Sequence, residues 1–232
     1  MADFPFDIVG FDLDGTLLDT AGDIAAALNH VLLSIGRPAI TLEAARGFIG
    51  GGAGQSLRGA LAASGGLDEA LLPALQEQLF DFYGQNASRH TRLFPGAEAM
   101  LDALAARGVT LAVATNKREA LAVQVFEELG LAHRFAAIVG GDTLGPGRAK
   151  PAPDMLHEMV ARCAGGGAGR GSNGTRAAFV GDTTYDVRAA RAAGLPVIAV
   201  RFGFCDMPPD ELGADRVIDH FDELVPALEA IG

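Results

Sequence analysis

The sequence predicts an α/β fold: a doubly wound parallel sheet, Rossmann-like in plan, with an inserted α-helical cap domain. Three observations predict it. Six short apolar runs rich in β-branched residues, at 6–12, 109–115, 135–141, 177–181, 197–202 and 216–219, have the length and composition of buried strands. Helical patterns separate the middle runs, and strand–helix alternation implies a parallel sheet with right-handed crossovers and helices on both faces. Residues 19–91 break this rhythm and offer no convincing strand.

Taken in order, the first run ends in Asp12-Leu13-Asp14-Gly15-Thr16, after which the pattern turns helical. Ile24, Leu28, Val31, Leu32 and Ile35 share one helix face, Leu57 and Leu61 a shorter one, and Leu71, Leu72, Leu75, Leu79, Phe82 and Tyr83 a third. These helices form a small domain over 19–91, and residues 1–18 with 92–232 form the catalytic core. Because the insertion follows directly on the first strand, it hangs over that strand's end, where a lid belongs. Further on, helical spacing recurs at Met100, Leu101 and Leu104, at Leu121, Val125 and Leu129, and at Leu156, Met159, Val160 and Cys163. The Gly-rich stretch from Ala164 to Thr175 reads as a flexible surface loop. Its Gly169-x-Gly171-x-x-Gly174 imitates a dinucleotide fingerprint, but it follows a helix and precedes a strand, the reverse of what that motif requires.

Composition narrows the function. Hydrophobic residues make up 49% and charged residues 20%, which describes a globular chain with a sizeable core. The net charge of −11 argues against nucleic acid and anionic membranes as partners. No apolar run approaches the roughly 20 residues of a membrane span, and no basic cluster precedes the first apolar stretch, so a cytoplasmic chain without secretory signal is expected. Cys163 and Cys205 then read as reduced, buried small residues, and Asn86 and Asn173 as glycosylation matches without meaning. Oligomeric state stays open between monomer and homodimer. One compositional feature stands out: of 18 basic residues only Lys117 and Lys150 are lysine. Something keeps a compact ammonium at those two places in a chain that otherwise uses arginine.

The chemistry-bearing residues fall where strands end. Asp12 and Asp14 sit at the carboxyl end of the first strand, where open α/β sheets bind ligands. Gly15 lets the chain turn so that amide groups can face an anion. Two carboxylates so close repel each other unless a cation lies between them, although an Asx turn with Thr16 or Asp19 capping the next helix is the plainer alternative. The second strand ends in Thr115-Asn116-Lys117, which can bind phosphate or cap a helix starting near Arg118. Pro151 holds Lys150 extended and aims its side chain. The fourth strand ends in Asp182, with Asp186 four residues on, and Asp182 is also a candidate helix cap. A parallel sheet brings these ends together. Asp12, Asp14, Thr115, Lys150 and Asp182 then converge on one crevice suited to oxygen-coordinated Mg²⁺ with a phosphate between metal and lysine; Mn²⁺ fits the same oxygens.

The order of these fragments resembles the haloacid dehalogenase superfamily of phosphohydrolases. Its four motifs correspond to Asp12-Leu13-Asp14-Gly15-Thr16, Thr115-Asn116, Lys150-Pro151 and Gly181-Asp182-x-x-x-Asp186, and the 19–91 insertion is similar to its helical cap. The resemblance implies that Asp12 attacks phosphorus and becomes an aspartyl phosphate, while Asp14 protonates the leaving oxygen and later activates water. It implies that Thr115, Asn116 and Lys150 hold the phosphoryl group. It also implies that Asp12, Asp182 and the backbone carbonyl of Asp14 bind Mg²⁺, with Asp186 in support. The acid at Asp14 points to a phosphate ester, because dehalogenases and phosphonate-cleaving relatives have no alkoxide to protonate.

Within the superfamily the similarity is greatest to phosphoglycolate phosphatases, through Arg46-Gly-Phe-Ile-Gly50-Gly-Gly-Ala-Gly54, Thr115-Asn116-Lys117 and the tail from Val200 to Leu224. The chain departs from that pattern at Thr183 and Tyr185 and in the long 164–175 loop. Hydrolysis of 2-phosphoglycolate to glycolate and phosphate is therefore the leading expectation. Arg46 is the candidate partner for a substrate carboxylate, against the alternative of an ordinary solvated arginine. Rival readings are a phosphatase for another small ester, a nucleotide or pyrophosphate, a phosphosugar mutase, and a receiver-like signalling domain. The long insertion argues against the last.

Overall fold

The computed structural model describes residues 4–66, 68–165 and 175–232. Strand β1 (Ile8–Phe11) leads through the short β2 (Leu18–Asp19) into helices α1 (Ala21–Ser34), α2 (Leu42–Arg46), α3 (Ala53–Ala63) and α4 (Leu72–Gly84). The chain returns at β3 (Arg92–Leu93) and continues as α5 (Ala97–Ala105), β4 (Thr110–Ala114), α6 (Glu119–Glu128), β5 (Ala137–Val139) and α7 (Asp154–Gly165). It ends with β6 (Ala177–Gly181), α8 (Thr184–Ala192), β7 (Val197–Val200), β8 (Arg216–Ile218) and α9 (Leu224–Ile231). The fingerprint-like glycines at 169–174 and Asn173 lie outside the described residues.

All six strand runs expected from the sequence lie in one sheet, in the order β5-β4-β1-β6-β7-β8, and every neighbouring pair is parallel. Both faces are covered, and the two-residue period of a strand decides which side chain meets which helix. Val9, Phe11, Leu111, Val113 and Val180 point into a core closed by α5, α6 and α9. Ala112, Ala114, Phe179, Val197 and Ala199 point the other way, against α7 and α8. Gly10 has no room for a side chain: a Cβ there would lie 2.4 Å from Met159 Sδ of α7.

The helices α1 to α4 pack on one another, with Leu28, Val31 and Leu32 of α1 buried together with Leu57, Leu61, Leu75 and Leu79. His30 stacks on Phe82 across α1 and α4, with ring centroids 4.3 Å apart. Antiparallel pairing of β2 with β3, Leu18 to Leu93 and Asp19 to Arg92, sets the two crossings between sheet and helices side by side. Asp23, in the first turn of α1, accepts hydrogen bonds from His90 N, Thr91 N and Thr91 Oγ1 and fastens the same crossing. Among the described residues no helix is long and apolar enough to cross a membrane.

Candidate active site

Register places the site. Phe11 is level with Val113 on one side and Val180 on the other, so Asp12, Thr115 and Asp182 emerge at the same sheet edge. From β1 the chain builds β4 and β5 on one side, then β6 to β8 on the other, and this reversal of strand order opens a crevice at the carboxyl ends. Thr115 N donates to Val139 O at 2.9 Å and Asp12 N to Val180 O at 2.9 Å, which fixes both residues by sheet hydrogen bonds. Gly15 turns away from β1 at φ +89°, a conformation that L side chains rarely adopt.

At the centre, Lys150 Nζ lies 2.7 Å from Asp12 Oδ1 and 2.6 Å from Asp186 Oδ1, all three residues being buried. The second oxygen of Asp186 accepts from Thr183 Oγ1 at 2.7 Å and Thr183 N at 3.0 Å, closing the capping box of α8. Thr183 rather than Asp182 is thus the helix cap, and Asp182 is left to the crevice. Asp182 Oδ1 accepts from Thr16 Oγ1 at 2.9 Å and Oδ2 from Phe204 N at 2.7 Å. Asp14 turns elsewhere, its Oδ1 accepting from Thr20 Oγ1 at 2.6 Å and lying 3.0 Å from Lys117 Nζ. Thr20 therefore does not cap α1; Asp19 Oδ1 accepts from Ala21 N, the first amide of that helix, at 3.2 Å, while Thr16 is turned to Asp182.

These contacts set the charge states. Burial pushes Asp12 up to about 7, because loss of water outweighs the Lys150 ammonium and Asp186 and Asp14 add repulsion. Burial, then Asp186 and Asp12, raise Asp182 well above the carboxylate range. Burial opposes the charge on Lys150, but Asp12 and Asp186 more than offset it and hold the ammonium above its usual value. One oxygen from each of Asp12, Asp182 and Asp186 falls within 4.8 Å of the others. Ionised together, the three carboxylates would exceed the one ammonium by two charges in a dry pocket, and the upward shifts of Asp12 and Asp182 express that deficit of positive charge. A hard divalent cation fits that donor set and that deficit. Asp14 adds no carboxylate oxygen to the cluster.

The crevice opens into a cavity of about 390 Å³. Its walls are Asp12, Asp14, Thr115 and Asn116 from the sheet edge, the 50–54 loop from the helical side, and apolar side chains such as Leu28, Leu79 and Phe80. Asn116 joins the two sides: its Nδ2 donates to Gly50 O at 3.0 Å and Lys150 O at 3.1 Å. Its Oδ1 is buried without a partner, and α6 carries no side-chain cap, so Asn116 serves the cavity and not the helix. Thr115 Oγ1 accepts only locally, from Lys117 N at 3.2 Å.

A family model for haloacid dehalogenase-like hydrolases matches residues 9–200. This chain belongs to that family. It is 41% identical over 220 residues to a phosphoglycolate phosphatase of Agrobacterium fabrum, covering 94% of this chain and 90% of the relative. A phosphoglycolate phosphatase of Mesorhizobium japonicum is 40% identical over 222 residues, covering 95% and 94%. Among solved structures, a predicted phosphoglycolate phosphatase from Haemophilus somnus superposes with a TM-score of 0.84 at 28% identity, covering 96% of this chain and 97% of that one. The haloacid dehalogenase-like chain is accordingly a phosphoric monoester hydrolase with the α/β architecture of its family.

Within this hydrolase one candidate stands apart. Arg46, at the end of α2, pairs with Asp19 at 3.1 Å and lies 5.9 Å from the Phe204 ring centroid, and it does not line the cavity. The basic residues that do line it are Lys117 and Arg118. Lys117 carried a compositional signal, being one of two lysines, and belongs to the Thr115-Asn116-Lys117 motif, but no role of its own followed from the sequence. Thr16, Thr20, Thr183 and Phe204 N support the carboxylates through hydrogen bonds that only the folded chain reveals.

Proposed function

We propose that the chain hydrolyses 2-phosphoglycolate to glycolate and phosphate through an aspartyl phosphate on Asp12, with Mg²⁺ as cofactor. The division of labour between Asp12 and Asp14 carries the reading. Two residues apart, they face different lysines, Asp12 toward Lys150 at 2.7 Å and Asp14 toward Lys117 at 3.0 Å, so one is free for nucleophilic attack and the other for proton transfer. The names of the relatives from Agrobacterium fabrum and Mesorhizobium japonicum support the substrate.

In the first step an Asp12 oxygen forms a bond to phosphorus while the ester P–O bond breaks, and Asp14 gives its proton to the leaving glycolate oxygen. In the second, a water oxygen attacks phosphorus, Asp14 takes its proton, and the acyl phosphate bond breaks to restore Asp12 and release phosphate. Lys150 and the groups at Thr115 neutralise the phosphoryl oxygens and hold them in line. Asp12, Asp182 and the carbonyl of Asp14 would hold Mg²⁺, which supplies positive charge for the phosphoryl oxygens when bound. Asp186 keeps Lys150 and the start of α8 in place.

A second reading, a phosphatase for a larger ester, is favoured by one observation: the cavity has apolar walls and more volume than a two-carbon ester fills. Phosphate release from a panel of small esters separates the two, with Mg²⁺ or EDTA, for the natural chain and Asp12→Asn. Mg²⁺-dependent turnover greatest on 2-phosphoglycolate and absent in the variant supports the proposal. Preference for another ester moves the substrate, and turnover that survives Asp12→Asn removes the covalent mechanism.

A further inference from the structure

The geometry points to Lys117 as the specificity-determining residue that reads a carboxylate on the substrate, a role that rests on the phosphatase reading above. Lys117 follows Thr115-Asn116 at the end of β4, lines the cavity, and its side chain is only 8% exposed. An ammonium has three N–H donors. One meets Asp14 Oδ1 at 3.0 Å and one meets Tyr83 Oη of α4 at 3.0 Å. Nζ also lies 4.4 Å from the Tyr83 ring centroid, and among the described residues no oxygen or nitrogen acceptor takes the third. A buried cation with a spare donor at a cavity wall is the chemistry that binds an anion.

The alternatives are occupied or misplaced. Arg118 lines the same cavity, but its guanidinium sits 3.4 Å from the Phe80 ring centroid and pairs with the exposed Glu77 at 3.3 Å. Arg46 lies outside the walls. Lys150, paired with Asp12 and Asp186, does not line the cavity and is given to the phosphoryl group above. The two lysines of the chain therefore divide the site, one beside the nucleophile and one beside the acid. Two residues of chain keep the Cα atoms of Asp12 and Asp14 within about 7 Å of each other, so Lys150 and Lys117, each paired with one of them, are neighbouring anchors. A small ester that carries its carboxylate close to the phosphoryl oxygen has its two anionic ends matched to such neighbouring cations. A compact ammonium suits this space better than the forked guanidinium that the chain uses elsewhere. Tyr83 comes from the helical layer, so the grip on the carboxylate is assembled only when α4 lies over the sheet edge.

The test compares kcat and KM on 2-phosphoglycolate and on ethyl phosphate, which keeps the size and loses the carboxylate, with Mg²⁺. The natural chain, Lys117→Met, Lys117→Arg and Tyr83→Phe are assayed side by side, with circular dichroism confirming the fold. Lys117→Met should lose about 10- to 100-fold of the preference for 2-phosphoglycolate, mostly through KM. Lys117→Arg should restore part of it and Tyr83→Phe should lose a smaller part. Equal losses on both esters would overturn the assignment, since a structural or acid-supporting lysine serves both alike. If Lys117→Met does not fold, unchanged preference in both Lys117→Arg and Tyr83→Phe overturns it. A natural chain with no preference between the esters sinks the phosphoglycolate reading itself, and Lys117 with it.

Discussion

Asp186 touches Lys150 at 2.6 Å with one oxygen while its other oxygen closes the first turn of α8. The side chain that holds Lys150 beside Asp12 is thus fixed to a helix terminus. Replacing it removes both functions at once. Asp186→Ala should lower kcat by at least about tenfold and cost about 1–2 kcal/mol through the lost cap. Urea unfolding and steady-state kinetics on one preparation check both. A cap without catalytic consequence would show as lost stability with kcat unchanged.

Removal of metal should destabilise the protein in a pH-dependent way. Asp12 titrates at about 7 when buried, against 3.8 in the unfolded chain, and Asp182 shifts in the same direction. Below pH 4 both states hold the protons and the shift has no effect. Between there and pH 7 the folded state binds more protons than the unfolded one, so stability falls as pH rises. A divalent cation replaces the missing positive charge and removes this slope. EDTA should therefore lower Tm by several degrees more at pH 8 than at pH 5. Thermal scans at the two pH values, with Mg²⁺ and with EDTA, measure it, and equal drops would refute it.

Arg46 has a partner in the fold that its place in the sequence does not show. A cation in the loop that resembles the phosphoglycolate phosphatase cap is a reasonable carboxylate reader, but the folded chain gives it Asp19 as partner, next to the β2–β3 crossing. Both side chains are about two-fifths exposed, and such pairs contribute roughly 0.2–1 kcal/mol. Arg46→Ala should change kcat/KM for 2-phosphoglycolate and for an aryl phosphate by the same factor, within about threefold. A selective loss on 2-phosphoglycolate would return Arg46 to the substrate.

What was legible follows from periodicity. The six sheet strands are apolar on both faces and several residues long, so composition alone marks them. The helices α1, α3 and α4 show a three-to-four spacing for the same reason. β2 and β3 are two residues each and α2 is five, too short for any period to register. In the site, Asp12, Asp14 and Asp182 announce themselves at or just past strand ends, and Lys150 by the scarcity of lysine and the proline that follows it. Tyr83 does not, because its aromatic ring fits the apolar face of α4 and its hydroxyl and ring meet Lys117 only in the fold. Thr183 was hidden behind Asp182, since either residue can cap a helix and only geometry chooses between them.

Gly15 offers the sharpest separation of backbone cost from site damage. It adopts φ +89°, and a Cβ there would fall 2.2 Å from Asp182 Oδ2, an atom already held by Phe204 N. Gly36 adopts φ +73° with nothing within 4 Å of its would-be Cβ. Both Gly→Ala changes carry the same left-handed penalty of about 1 kcal/mol. Only Gly15→Ala also displaces Asp182 from the carboxylate cluster. Gly36→Ala should lose that stability and keep full turnover, while Gly15→Ala should lose turnover by at least about tenfold and need more Mg²⁺ for what remains. Mg²⁺ titrations of activity in the two variants read the difference. Matching Mg²⁺ dependence in both would mean that Asp182 tolerates the shift and does not depend on the Gly15 turn.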